Sequence, residues 1–271
     1  MKVVLFCGGM GLRLRGHAED LPKPMATIGA RPILWHLMKY YAHYGHKDFI
    51  ICLGYKGNCI KEYFLHYDES ISNDLVLSQG GRRVEYINRD IDDWTITFVE
   101  TGIEASIGER LRLVEPYLYG EEQFLANYSD GLTDLHLPDM VQEFERRNAI
   151  ASLLLVNPTT SFDLVSVGGD GYVNEIRCLA DTDIWINGGF FVFRKEIFQY
   201  IRPGEELVRE PFARLIEQRA LTAYKYHGFW RCMDTFKDKR HLEDMESKGV
   251  APWKVWKDRT LMLRMAGSRG R

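Results

Sequence analysis

"LFCGGMGLRL" at residues 5–14, with "LPKPM" at residues 21–25, decides how the whole chain is read. Val3–Phe6 is a short apolar run bounded by glycine, which predicts a strand buried on both faces. From Gly8 to Pro24 no apolar period survives, so a loop is expected there. Gly8, Gly9 and Gly11 then stand at the carboxyl end of the first strand. Glycines in that place let backbone N–H groups approach a ligand closely, and consecutive N–H groups form an anion nest. Arg13 adds a planar fork suited to phosphate oxygens, and Lys23 adds a point charge. Pro22 and Pro24 restrict the backbone on either side of Lys23. The combination is a cradle for a triphosphate. Its spacing is neither GxxxxGK[ST] nor a GxGxxG that opens a helix, so it is not a P-loop or a dinucleotide fingerprint.

The rest of the chain repeats the first unit. Ile33, Leu34, Leu37, Met38, Tyr41 and Tyr44 fall at helical spacing, and Gly45 closes that helix. "DFIICLG" is a second buried strand, and "GNCIKEYFLHY" a second helix. Strand alternating with helix predicts a doubly wound α/β fold, a mostly parallel sheet covered on both sides. Residues 68–92 are polar and read as an excursion from the core. "WTITFVE", "QFLANY" and "IASLLLV" continue the strands, with helices around "ERLRLVEPYL" and from Pro138 to Arg147. After residue 157 the pattern becomes more mixed: short strands in "FDLVSVGGDGYVNEI" and "IWINGGFFVF", two helices, the strand "LTAYKY", then "GFWRCMDT" and a polar helix ending at Gly249. One domain over residues 1–256 is expected, with a nucleotide-binding half (1–157), an acceptor-binding half (158–256) and a basic tail (257–271).

Composition limits the function classes. The 271 residues are 45% hydrophobic and 27% charged, ordinary for a globular protein. Net charge is −3, so no global field draws in nucleic acid. No apolar stretch approaches a membrane span, and the amino terminus makes a poor signal peptide; a cytoplasmic protein is expected. Cys7, Cys52, Cys59, Cys178 and Cys232 are odd in number and widely spaced, which reads as thiols in a reducing compartment. Asp130 in "NYSDG" and Asp234 in "CMDT" each follow an apolar run. If both reach the strand-end crevice where open α/β sheets bind ligands, two carboxylates plus phosphate oxygens suit Mg²⁺.

"GGMGLRL" followed by "PKPM" resembles the signature of sugar-nucleotide pyrophosphorylases, GGxGTRL with a following PKP. "RPILWHLMKYY", "KDFIICLGYKGNCIKEYF", "WTITFVETG", "INGGFFVF", "GFWRCMDT" and "APWKVW" extend the likeness to the glucose-1-phosphate cytidylyltransferase branch. The segments run from Lys2 to Trp256. The resemblance implies a Rossmann-like nucleotide-diphospho-sugar transferase fold. It also implies a reaction: CTP plus a sugar 1-phosphate gives a CDP-sugar and pyrophosphate. By the same likeness Arg13 and Lys23 hold and polarise the triphosphate, and Gly8, Gly9 and Gly11 give backbone contacts. Asp130 and Asp234 hold Mg²⁺, and Arg110 governs nucleotide selectivity. Asn187 and Gly188 line the sugar pocket, with Trp230 packed close by. A homo-oligomer is expected.

Three positions depart from the family's pattern. Leu12 replaces a Thr beside the triphosphate. Cys178 and Leu179 stand where a Glu-Lys pair usually reaches the sugar-linked phosphate, leaving Arg177 as the nearest cation. Asp163 replaces a glycine in the sugar-side loop. These changes leave two alternatives beside a glucose 1-phosphate-like acceptor: the same CTP chemistry on another phosphorylated acceptor or a phosphonate, and a non-catalytic nucleotide-binding relative.

Overall fold

The computed structural model describes residues 1–9, 21–158, 163–179 and 182–257. Gly11, Leu12 and Arg13 lie outside the described residues, as does all but the first residue of the expected tail.

The chain builds a seven-stranded sheet around its first strand. β1 (Val3–Phe6) is flanked by β4 (Asp48–Leu53) on one side and β8 (Gln123–Asn127) on the other, both parallel to it. β7 (Thr95–Glu100) extends the sheet beyond β4. Beyond β8 lie β13 (Ile186–Arg194), β10 (Ala151–Val156) and β14 (Leu221–Tyr226), giving the order β14-β10-β13-β8-β1-β4-β7. Only β13 runs against its neighbours in this sheet. The fold is therefore the Rossmann-like, mostly parallel α/β architecture the sequence predicts. Residues 186–194 and 221–226 belong to the same sheet as the strands before residue 157.

Strand periodicity explains why both faces are covered. Val3 and Leu5 of β1 and Phe49, Ile51 and Leu53 of β4 enter one core layer. Val4, Phe6, Ile50 and Cys52 enter the other. Alternate residues point to opposite sides, so a continuous apolar run is what a strand sandwiched between helices requires. The first layer is closed by α1 (Ile33–His43) and α4 (Leu137–Arg147), through Leu34, Leu37, Met38, Met140 and Phe144. The second is closed by α3 (Ile107–Val114) and α5 (Glu210–Glu217), through Leu111, Val114, Phe212 and Leu215.

The remaining elements are peripheral. β2 (Thr27–Ile28) and β3 (Arg31–Pro32) form a tight hairpin before α1, and α2 (Gly57–Leu65) follows β4. The polar excursion contains a second hairpin, β5 (Leu75–Ser78) with β6 (Arg83–Tyr86). β11 (Asp163–Val167) and β12 (Val173–Cys178) form a third. β9 (Gly131–Thr133) pairs with β15 (Trp230–Cys232), ahead of α6 (Phe236–Ser247). Of the two helices expected between β13 and β14, α5 is α-helical and Lys195–Gln199 is a 3₁₀ helix. All five cysteines are free thiols, with Cys7 and Cys52 buried. Among the described residues no helix is long and apolar enough to cross a membrane.

Candidate active site

A cleft of about 610 Å³ opens at the carboxyl ends of β1, β7 and β8. Its floor is Phe6, Cys7 and Gly9. One end is lined by Lys23, Asp130 and Asp234, the other by Ile103, Ser106, Ile107 and Glu206. This is where an open parallel sheet places its ligands, because neighbouring strands lead their connections away on opposite faces.

The charged end is assembled from three distant segments. Lys23 opens a 3₁₀ turn with Pro22 at its N-cap and Pro24 inside it. Asp130 follows β8 through a turn in which Ser129 adopts φ +67°. That left-handed conformation costs a non-glycine residue about 1 kcal/mol or more, and it is held by the Ser129 N–H donating to Asn127 Oδ1 at 2.7 Å. Asp234 arrives with the β9–β15 ladder, whose register sets Cys232 opposite Gly131 and lets the Met233 N–H donate to the Asp130 carbonyl at 2.8 Å. The two carboxylates thereby meet across one ammonium. Lys23 Nζ lies 2.7 Å from Asp130 Oδ2 and 2.5 Å from Asp234 Oδ1. Burial raises the Asp130 pKa, and the neighbouring Asp234 charge adds to that while Lys23 opposes it. For Lys23 the burial cost is outweighed by the two carboxylates, so its pKa is raised and it stays an ammonium.

Among the described residues no group of three or more His, Cys, Asp or Glu is placed to hold a metal ion. Two carboxylates at one end of a cleft are nonetheless what Mg²⁺ takes from a protein, since it keeps waters and substrate oxygens for its other positions. The donor set present fits a divalent cation.

Arg110 is among the residues that line the cleft. The residue is 2% exposed, and its guanidinium is hydrogen-bonded within the protein. Nη1 donates to Leu53 O, Thr101 Oγ1 and Gly102 O, and Nη2 to Gly8 O and Ile103 O. These acceptors stand at the end of β4 and just after β1 and β7, three adjacent strands, so the side chain ties their carboxyl ends together at the cleft. The packing is close enough to exclude any side chain at Gly8 or Gly54. A Cβ on Gly8 would lie 1.8 Å from Arg110 Nη1, and one on Gly54 2.6 Å from the Gly8 carbonyl and 2.7 Å from that of Gly102. Gly54→Ala therefore pushes two backbone strands apart. We expect it to lower stability by about 2 kcal/mol or more and to weaken nucleotide binding, measured by thermal denaturation and by the KM for the nucleotide.

The acceptor-side residues divide. Asn187 Nδ2 donates to the hydroxyl of Tyr128, which lines the cleft, and its Oδ1 accepts from the Gly189 N–H at 2.9 Å. Gly189 has φ +77°, and a Cβ there would lie 2.9 Å from the Tyr128 ring, so "NGG" shapes the backbone around that tyrosine. Trp230 is buried and its Nε1 donates to the Gly188 carbonyl at 2.8 Å. Asp163 and Arg177 do not line this cleft. They stand on the exposed β11–β12 hairpin, where Arg177 Nε pairs with Glu175 Oε1 at 2.9 Å.

Several lining residues were not singled out by sequence reasoning. Tyr128 could have been found from its place between a buried strand and Asp130. Ser106 could have been found as the N-cap of α3, since its hydroxyl accepts from the Glu109 N–H. Glu206 leaves no local signal; it is placed by its carboxylate accepting from the Ile107 and Leu207 N–H groups. Cys7 lines the floor, and burial pushes its thiol up to about 12, so it is no nucleophile near neutral pH.

Glycines, a fixed lysine and paired carboxylates thus share one cleft at the strand ends of a mostly parallel sheet. The nucleotidyl transferase family model matches residues 2–237, and the chain belongs to that family. It is 37% identical over 258 residues to a probable glucose-1-phosphate cytidylyltransferase of Bacillus subtilis (strain 168), covering 94% of this chain and all of the relative. It is 38% identical, with the same coverage, to a glucose-1-phosphate cytidylyltransferase of Salmonella typhimurium. Among solved structures, a UDP-glucose pyrophosphorylase complexed with UDP-glucose superposes with a TM-score of 0.67 at 15% identity, covering 92% of this chain and 98% of that one. That likeness concerns the fold.

Proposed function

We propose that this nucleotidyltransferase transfers CMP from CTP to a glucose 1-phosphate-like sugar 1-phosphate, releasing pyrophosphate and a CDP-sugar. The observation that carries the reading is the convergence of Lys23, Asp130 and Asp234 beside the glycines that end β1. The full-length likeness to glucose-1-phosphate cytidylyltransferases supports the choice of nucleotide and acceptor.

The site suits this chemistry because the nucleophile needs no activation. A sugar phosphate is already anionic near neutral pH, and its oxygen attacks the α-phosphorus in line as pyrophosphate leaves. What the reaction needs is alignment of two anions and neutralisation of their charge. Gly8, Gly9 and Gly11 present backbone N–H groups to the triphosphate, and Lys23 with Arg13 balances its charge. Asp130 and Asp234 hold Mg²⁺, which supplies charge neutralisation at the phosphate oxygens. Asn187 and Gly188 border the acceptor, with Tyr128 and Trp230 fixing their orientation. Arg110 supports nucleotide binding through the loops it ties together. CTP and sugar phosphates as substrates agree with a cytoplasmic location. Exposed apolar side chains on the β11–β12 hairpin, among them Val165, Val167 and Ile176, agree with a homo-oligomer.

The test is pyrophosphate release from each of CTP, UTP, dTTP and GTP with Mg²⁺ and a panel of sugar 1-phosphates and phosphonates. The expected result is turnover with CTP and glucose 1-phosphate at least tenfold above every other pair. Turnover with CTP confined to a different acceptor keeps the nucleotide and replaces the sugar. That outcome has a specific basis in the Cys178–Leu179 departure and in the distance of Asp163 and Arg177 from the cleft. Nucleotide binding without turnover across the panel overturns the enzymatic reading.

A further inference from the structure

We infer that Lys23 is an internal counter-cation that a divalent metal must displace, so metal and triphosphate bind as a coupled pair. The inference rests on the proposed nucleotidyl transfer and concerns how the same site is loaded. The ammonium sits between Asp130 Oδ2 and Asp234 Oδ1, at 2.7 and 2.5 Å. Those two carboxylates are the groups that would hold a divalent cation. The Lys23 side chain is 15% exposed, with Asp130 at 27% and Asp234 at 38%, so the ammonium is the more shielded partner of each pair. A metal entering alone must push a buried ammonium off two carboxylates and leave it with nothing to balance. A triphosphate entering with the metal offers the ammonium a new anionic partner. The exchange is then Lys23 from carboxylate to phosphate, and the metal from water to carboxylate.

Linkage makes this coupling reciprocal: whatever nucleotide adds to metal affinity, metal adds to nucleotide affinity. It also explains why a site with paired carboxylates needs a lysine so close to them. The lysine keeps the empty carboxylates from repelling each other. A proline on each side of it sets the reach of the ammonium to both positions.

The experiment is calorimetric titration of Mn²⁺ into the full chain, with and without a non-hydrolysable CTP analogue. Wild type, Lys23→Gln and Lys23→Arg are compared. Without nucleotide, Lys23→Gln is expected to bind Mn²⁺ at least tenfold more tightly than wild type, while Lys23→Arg stays as weak as wild type. With the analogue, wild type tightens at least tenfold and Lys23→Gln changes less than threefold. As a second readout, Mn²⁺ raises the Tm of Lys23→Gln more than that of wild type, because the variant leaves two carboxylates without their ammonium. Equal metal affinity in wild type and Lys23→Gln without nucleotide overturns the inference, as does metal affinity in wild type that ignores the nucleotide. Metal-dependent pyrophosphate release by wild type, measured in parallel, tells failure of this inference from failure of the proposed function.

Discussion

Asp130→Asn is expected to lower turnover roughly a hundred- to a thousandfold, the range seen when one preorganised charge-stabilising group is removed from a reacting centre. The amide keeps the shape of the side chain and loses the charge that pairs with Lys23 and would bind a divalent cation. Pyrophosphate release measures the effect, and Asp139→Asn on the exposed first turn of α4 serves as the control that leaves turnover unchanged. Stability should move the other way. The folded protein raises the Asp130 pKa above its ordinary value, chiefly through burial. A carboxylate with a raised pKa binds its proton more tightly folded than unfolded. The ionised form therefore detracts from stability at neutral pH, and the deficit disappears as pH falls below the ordinary value. The neutral variant should melt at the wild-type temperature or above it near pH 7. A variant with more than a tenth of wild-type turnover would remove Asp130 from the reacting centre.

That opposition between activity and stability shows why the site was only partly legible in the sequence. β1, β4, β8 and α1 announce themselves because each satisfies one local rule throughout: a short apolar run ending in glycine, or a helical period closed by Gly45. The β5–β6 hairpin does not. Val76, Leu77 and Val84 are exposed, so no buried face imposes a period of two. The antiparallel place of β13 is equally silent, because a buried run such as "FFVF" reads the same in either direction and at any position in the sheet. Lys23, Asp130 and Asp234 were nameable one by one, since each stands beside a proline or a strand end. Their meeting depends on the β9–β15 ladder, a three-residue pairing with no signature of its own. Asp163 and Arg177 show the converse. They stand on the β11–β12 hairpin, outside the residues that line the cleft.

Arg110 carries the largest expected structural effect. The sequence reads as a helix around "ERLRLVEPYL", and on it Arg112 pairs with Glu109 one turn earlier. Arg110 turns inward, and five acceptors at the carboxyl ends of β1, β4 and β7 lie within 3.3 Å of its two terminal nitrogens. No other side chain reaches that many groups from one planar fork, and lysine could reach only a few. Arg110→Met keeps the aliphatic stem and removes every donor. Leu53 O keeps the Thr101 N–H and hydroxyl and Gly8 O keeps the Tyr55 N–H, but the Gly102 and Ile103 carbonyls lose the Arg110 donor of a partly buried hydrogen bond, each loss costing on the order of 1–3 kcal/mol before relaxation. We expect a net loss of about 3–5 kcal/mol and a fall in Tm of roughly 10 °C. The loops should splay at the same time, raising KM at least tenfold for every nucleoside triphosphate that binds. Thermal denaturation and a four-nucleotide KM series separate this role from direct reading of the base. A residue that reads the base alters the ranking of nucleotides and leaves the melting temperature nearly untouched. A clamp lowers the melting temperature and weakens all nucleotides together. Arg110→Lys sharpens the distinction, because it keeps the positive charge at the cleft floor but cannot span three strand ends. If selectivity came from charge alone, the lysine would restore it. If it comes from where the Gly8, Gly102 and Ile103 carbonyls are held, the lysine variant should resemble methionine in both measurements.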